Sequence, residues 1–172
     1  MLLTTRFTRL VENHAESLSL RWAQEVRTNP LTSGYARFSK EQLHDIVFSR
    51  FRRLGQWIEK REGLEKDIAK NFCEIGRERA SAGINSSEMV YSLILEKDLV
   101  WNYIQDEGLI ADGIDMNRAL QFIGQLDYFF DKAIYFALVG YEHANVDESR
   151  VRGDEGEFEK TFEGFKHWII RE

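Results

Sequence analysis

Apolar residues recur at steps of three and four residues along most of the chain, a spacing that predicts amphipathic helices. The first of these stripes, predicted as a helix over about residues 5–27, consists of Phe7, Leu10, Val11, Leu18, Trp22 and Val26. This helix must end before Pro30, because the residue that precedes a proline is pushed out of the helical region. A loop that contains Gly34 is therefore predicted over residues 29–38.

Two capping-box patterns predict where later helices begin. Residues 39–42 open a helix whose apolar face is Leu43, Val47, Phe51, Leu54 and Ile58. Residues 85–88 open another helix, which has apolar residues on two faces and is therefore expected to be buried between neighbours. Its main face is Met89, Val90, Leu93, Ile94, Val100, Trp101 and Ile104, and its second face is Leu95, Leu99 and Tyr103.

A ridge of small residues marks the helix predicted over about residues 64–82. It runs beside an ordinary apolar stripe and consists of Ala69, Cys73, Gly76 and Ala80. Glycine inside a helix costs about 1 kcal/mol relative to alanine. Gly76 therefore predicts that the backbone of another helix approaches closely at this point, and Gly83 is expected to cap the helix C-terminus.

A long core helix is predicted to close the domain, with Asp115 as its N-cap and an end near Ala144. Its expected core positions are Leu120, Ile123, Leu126, Phe130, Ile134, Ala137 and Tyr141, widened by Phe122, Phe129 and Phe136. The fold is thus predicted to be all-α: a single-domain bundle of about five to seven helices over residues 1–144. Residues 145–157 are predicted to be a polar linker, and residues 158–172 a short amphipathic helix that packs on the bundle or on a second copy.

Composition narrows the classes of function. The net charge of −6 argues against nucleic-acid binding, which requires clustered cations. The cluster of Arg50, Arg52 and Arg53 is better explained as a solvated helix face than as a phosphate site. The single cysteine, Cys73, allows no intramolecular disulfide, and no stretch of about 18 apolar residues suggests a membrane span. A cytoplasmic protein without membrane association is therefore expected.

No pattern for metal binding or catalysis reaches a recognisable strength. Glu41 and His44 match one half of a di-iron motif, but the second half does not occur, so no metal is predicted. His14 lies between Val11 and Leu18, where a half-buried histidine at the core edge is favoured over a haem ligand. The sequence has neither a glycine-rich phosphate loop nor a nucleophile elbow, and the chain is predicted not to be an enzyme and to need no cofactor.

Charged residues on apolar faces are the strongest candidates for a site. Arg79 continues a core stripe, Lys97 lies between apolar residues of its helix, and Asp131 and Tyr135 are one turn apart on the last helix. A charge left alone in a core would be costly, so each group needs a partner. They could form internal ion pairs such as Arg79 with Asp131. Alternatively, Arg79, Lys97, Asp131 and Tyr135 could line a pocket for a small, anionic ligand.

Four blocks of sequence, in order, resemble the RsbRD N-terminal domain family. The most recognisable block is residues 75–80 with Gly83 and residues 87–89. The other matching stretches are residues 21–27 with Asn29, Pro30 and Tyr35, residues 38–43, Trp101, and residues 129–135 with residues 140–142. The resemblance extends over about residues 18–142, which is most of the chain.

The resemblance implies a bacterial sensor domain of the stress-response type. Such domains precede sulfate-transporter-and-anti-sigma-factor modules or histidine kinases, and related modules are homodimers with a globin-like fold that lacks haem. We therefore expect a non-catalytic input domain that binds a small ligand or a partner protein, such as a kinase or an anti-sigma-type regulator, and relays a conformational change. Two alternatives are a haem- or other cofactor-binding protein that uses His14 or His143, and a purely structural interaction module.

Overall fold

The computed structural model describes residues 5–108, 110 and 112–144, and this part of the chain is helical throughout, without strands. The predicted linker and terminal helix lie outside the described residues. The all-α prediction is confirmed, including the long last helix. The helices are α1 (Thr5–Asn13), α2 (Ala15–Thr28), a 3₁₀ helix (Pro30–Arg37), α3 (Lys40–Arg52), α4 (Leu54–Ile58), α5 (Leu64–Ser81), α6 (Ser86–Asp106) and α7 (Gly113–Ala144).

The predicted capping signals of three helices are confirmed. At the start of α3, the Gln42 amide donates to the Ser39 hydroxyl (3.1 Å), and the Ser39 amide donates to the Gln42 side chain (2.8 Å). At the start of α6, the Asn85 amide donates to the Glu88 carboxylate (3.0 Å). After α5, Gly83 adopts a φ of +69°, which a residue with a side chain rarely does.

The sequence predicted the wrong cap for α7 and missed two breaks. Asp112, not Asp115, caps α7: its carboxylate accepts from the amides of Ile114 (2.9 Å) and Asp115 (2.8 Å). The predicted first and second helices are each divided, at His14 and at Arg53. The apolar stripe continues across both breaks, so hydrophobic periodicity alone did not indicate either of them.

Helices α5 and α7 form the central pair and run parallel. Near the start of α5, the Tyr128 hydroxyl donates to the Glu65 carboxylate (2.7 Å). Just after the end of α5, the Tyr141 hydroxyl donates to the carbonyl of Ile84 (2.8 Å). The contacts thus advance in the same direction along both helices. Their shared core includes Phe72 and Phe129, whose ring centroids lie 5.6 Å apart.

Helix α6 covers this pair on only one side. Its predicted burial between neighbours is correct for Met89, Leu93, Val100 and Ile104, which are buried. Other members of the predicted faces, such as Val90, Ile94 and Trp101, keep partial exposure. On α7, Leu120 was predicted to lie in the core but is 59% exposed.

No helix within the described ranges is long and apolar enough to cross a membrane.

Candidate functional site

The predicted close approach at Gly76 is confirmed, and its partner is α7. A Cβ atom placed on Gly76 would collide with the carbonyl oxygen of Ala137 and lie 2.7 Å from the backbone nitrogen of Tyr141. The contact is reciprocal, because a Cβ on Gly140 would collide with the carbonyl oxygen of Cys73. The two backbones therefore touch directly, so neither helix can shift sideways without moving the other.

Arg79 is buried at the end of α5, as its position in the apolar stripe predicted, but it does not form the expected pair with Asp131. Its guanidinium lies 3.5 Å from the carboxylate of Glu78, and it interacts with the Tyr35 hydroxyl. Burial raises the pKa of Tyr35, and the nearby charge of Arg79 partly opposes that shift. Asp131 is exposed because it lies on the outer side of α7.

Tyr35 belongs to a buried polar junction that also includes Trp22 and Ser92. The Tyr35 and Ser92 hydroxyls are 3.0 Å apart, and the Trp22 indole donates to the Ser92 carbonyl (3.0 Å). This junction ties α2, the 3₁₀ helix and α6 together beside Arg79. It gives the buried polar groups the partners that burial requires.

The other predicted ligand-binding residues are not gathered around Arg79. Lys97 on α6 forms an ion pair with Asp127 on α7 at 3.1 Å. Tyr135 is 38% exposed on the outer side of α7, on the same side as Asp131. The ligand-binding role of these four residues stays a prediction.

Arg50 is buried, so its interpretation as part of a solvated face was wrong. It makes a two-point contact with Glu96 on α6, at 2.7 Å and 3.0 Å, while its guanidinium lies over the ring of Phe72. Arg50 shares its helix face with Leu43 and Val47, and that spacing was the signal which could have identified it. Arg52 and Arg53 are exposed.

Lys132 is a third buried cation, after Arg79 and Arg50, and was not predicted from the sequence. Its ammonium lies 3.1 Å from the centre of the Tyr128 ring, and the Tyr128 hydroxyl donates to Glu65. Burial lowers the pKa of Lys132 to about 8, and the carboxylate of Glu65 opposes that shift. The Lys132 ammonium therefore places a positive charge at the contact between α5 and α7.

The three histidines in the described part of the chain do not converge on a shared site. His14 is exposed at the break between α1 and α2, contrary to the expectation of half-burial, and its Nδ1 donates to the Leu10 carbonyl (2.9 Å). His143 donates in the same way to the Val139 carbonyl (2.6 Å). His44 contacts two carboxylates. Within the described ranges, no three His, Cys, Asp or Glu side chains form a group that could hold a metal ion.

An open groove of about 580 Å³ lies between α4, the segment that follows it, and the outer face of α5. Its wall includes Trp57, which is half-buried, together with charged and amide side chains. None of the four predicted ligand-binding residues lines this groove. Trp57 was not predicted as a site residue, because an aromatic residue in a helical stripe is more often part of the core.

Comparison of the sequence with models of protein families identifies the family to which the chain belongs. The model of the histidine kinase N-terminal family matches residues 6–143. The chain belongs to this family. A histidine kinase N-terminal domain is a sensor-type signalling domain and is not itself a catalytic domain. No curated protein and no solved structure matched the chain in the same comparisons.

Proposed function

We propose that this histidine kinase N-terminal domain is a signalling input module of the RsbRD type, which works in the cytoplasm as a homodimer. It binds a small ligand or a partner protein and relays a shift of α5 and α7 to a kinase or an anti-sigma-type regulator. The direct backbone contact at Gly76 and Gly140 supports the relay, because it couples the two helices mechanically. In this proposal the domain itself catalyses no reaction.

Two apolar stripes, one on α6 and one on α7, form a face that contains a single ion pair and supports the homodimer. On α6, Val90, Ile94 and Trp101 lie on the same side as Lys97. On α7, Leu120, Ile134 and Leu138 lie on the same side as Asp127. Lys97 and Asp127 form an ion pair at 3.1 Å, so the two apolar stripes are adjacent. All six apolar residues keep some exposure, and a second copy would bury them.

The exposure of Leu120 is the observation that carries this proposal. A leucine that is 59% exposed at the N-terminal end of this stripe is unfavourable in a monomer, and burying the exposed part stabilises a dimer by about 1–2 kcal/mol per side chain. Light scattering of the full chain is expected to give twice the chain mass of 20.2 kDa. Leu120→Asp is expected to give a monomer, because it would place two carboxylates in the interface.

Leu31 provides a matched control. It is also 59% exposed, but it lies on the 3₁₀ helix and not on the face of α6 and α7. Leu31→Asp is therefore expected to leave the dimer intact. A monomeric wild-type chain at micromolar concentration, or equal behaviour of the two variants, would contradict the proposal.

A further inference from the structure

The groove beside Trp57 has the dimensions and the wall of a small-molecule site. Its volume of about 580 Å³ lies within the range of about 300–1,000 Å³ that is typical of such sites. It is bounded on one side by the end of α4 and on the other by the outer face of α5. None of its residues belongs to the proposed dimer face.

The aromatic part of the wall is held rigidly. The Trp57 indole packs edge-on against Phe72, with ring centroids 6.3 Å apart, and lies 5.9 Å from the ring of Phe129. Both phenylalanines are fully buried. A half-buried indole supported from behind in this way offers a fixed surface on which a flat ring can stack.

The charged part of the wall is balanced. Arg61 and Asp67 form an ion pair at 2.8 Å, and Lys70 and Glu74 lie one turn apart on α5. A charged ligand would gain little net attraction here, because the two cations of the groove, Arg61 and Lys70, are balanced by two carboxylates, Asp67 and Glu74. The remaining groups, the amides of Gln56 and Asn71, offer both donors and acceptors.

We infer that this groove binds an uncharged, planar heteroaromatic molecule of the nucleoside class, stacked on Trp57 and hydrogen-bonded by Gln56 and Asn71. An amide side chain can pair with the edge of a nucleobase through one donor and one acceptor at once. The inference deepens the proposed function, on which it rests, by naming the ligand class of the sensor. Because Trp57 touches Phe72 on α5 and Phe129 on α7, a bound ring presses on the helix pair that carries the relay.

The test uses the full chain and isothermal titration with adenosine and guanosine as probes. We expect saturable binding with a dissociation constant below about 1 mM, which corresponds to a binding free energy of at least about 4 kcal/mol in magnitude. Asn71→Ala is expected to weaken it at least about tenfold, the effect of losing one good bidentate contact. Asn102→Ala, which removes another exposed helical asparagine far along α6, is the control and should leave binding unchanged.

Further probes test the class of ligand. Adenosine monophosphate should bind no more tightly than adenosine, because two carboxylates balance the two cations of the groove. The amino acid tryptophan, a planar probe that carries both an ammonium and a carboxylate group, should bind more weakly. The inference would be overturned if nucleosides do not bind, or if the Asn71 and Asn102 variants bind them equally. A preference for tryptophan or for the monophosphate would also overturn it.

The two proposals can fail separately. If nucleosides do not bind but Leu120→Asp still splits a dimer, the ligand inference is wrong and the dimeric sensor stands. If Asn71-dependent binding occurs in a chain that is monomeric, the ligand site stands and the dimer is wrong.

Discussion

Replacing Gly140 with alanine tests the contact between α5 and α7 most directly. The new methyl group would collide with the Cys73 carbonyl oxygen and lie 2.6 Å from the carbonyl carbon and the Cα of the same residue. These are backbone atoms, so no side-chain rotation can relieve the clash. The helices must move apart, and the packing on either side of the contact must loosen.

The expected cost follows from two opposing terms. Alanine is favoured over glycine inside a helix by about 1 kcal/mol. Overpacking of a tight contact costs about 3 kcal/mol at the upper end of its usual range, which is appropriate for a backbone collision. We therefore expect Gly140→Ala to lower the free energy of unfolding by about 2 kcal/mol. For a domain of this size the melting temperature should then fall by about 4–8 °C.

Gly124 on the same helix is the matched control. A Cβ atom at Gly124 would meet no atom within 4 Å, so only the helix-propensity term remains. Gly124→Ala should raise the free energy of unfolding by about 1 kcal/mol. Urea unfolding followed by tryptophan fluorescence compares the variants. If Gly140→Ala is as stable as Gly124→Ala, the two backbones are not in contact, and the proposal that α5 and α7 are mechanically coupled is wrong.

Two further predictions concern charges. Glu96→Ala should destabilise the fold by about 3–5 kcal/mol in urea unfolding, because it leaves the buried Arg50 cation without its carboxylate. Replacing both residues with apolar ones should cost less. A larger loss for the double variant would show that the unpaired Arg50 charge is not the cause. The carboxylates of Asp45 and Glu16 raise the pKa of His44 above its usual value of about 6.5. His44 therefore adds stability below pH 6.5 that is lost as pH rises through the raised pKa, and His44→Gln should remove this pH dependence; identical profiles for both proteins would exclude the effect.

Local signals in the sequence predicted most of the helices and the closest contact between them. Ser39 and Asn85 opened helices because a cap and its partner three residues on are visible in sequence. Gly76 indicated close packing because glycine is unfavourable in a helix unless something requires it. Its partner could not be predicted, since the parallel pairing with α7 depends on the path of the whole chain.

The predictions for charged residues failed in the choice of partner. Arg79 was correctly predicted to be buried, but its neighbours Glu78 and Tyr35 replaced the expected Asp131. Leu120 was wrongly placed in the core, because periodicity identifies an apolar stripe without showing whether the same chain covers it. Lys132 lies over the ring of Tyr128, one turn earlier on the same helix, but its burial beside Glu65 of α5 depends on the tertiary structure.

The parallel arrangement of α5 and α7 also has a geometric consequence. The Trp57 side chain touches α7 at Phe129, and α7 continues for 15 further residues to Ala144, about 22 Å at the rise of an α-helix. Pivoting the pair by about 5° around Phe129 would move its far end by about 2 Å. A small rotation of the pair at the groove is therefore amplified into a displacement of about 2 Å at the C-terminal end of α7.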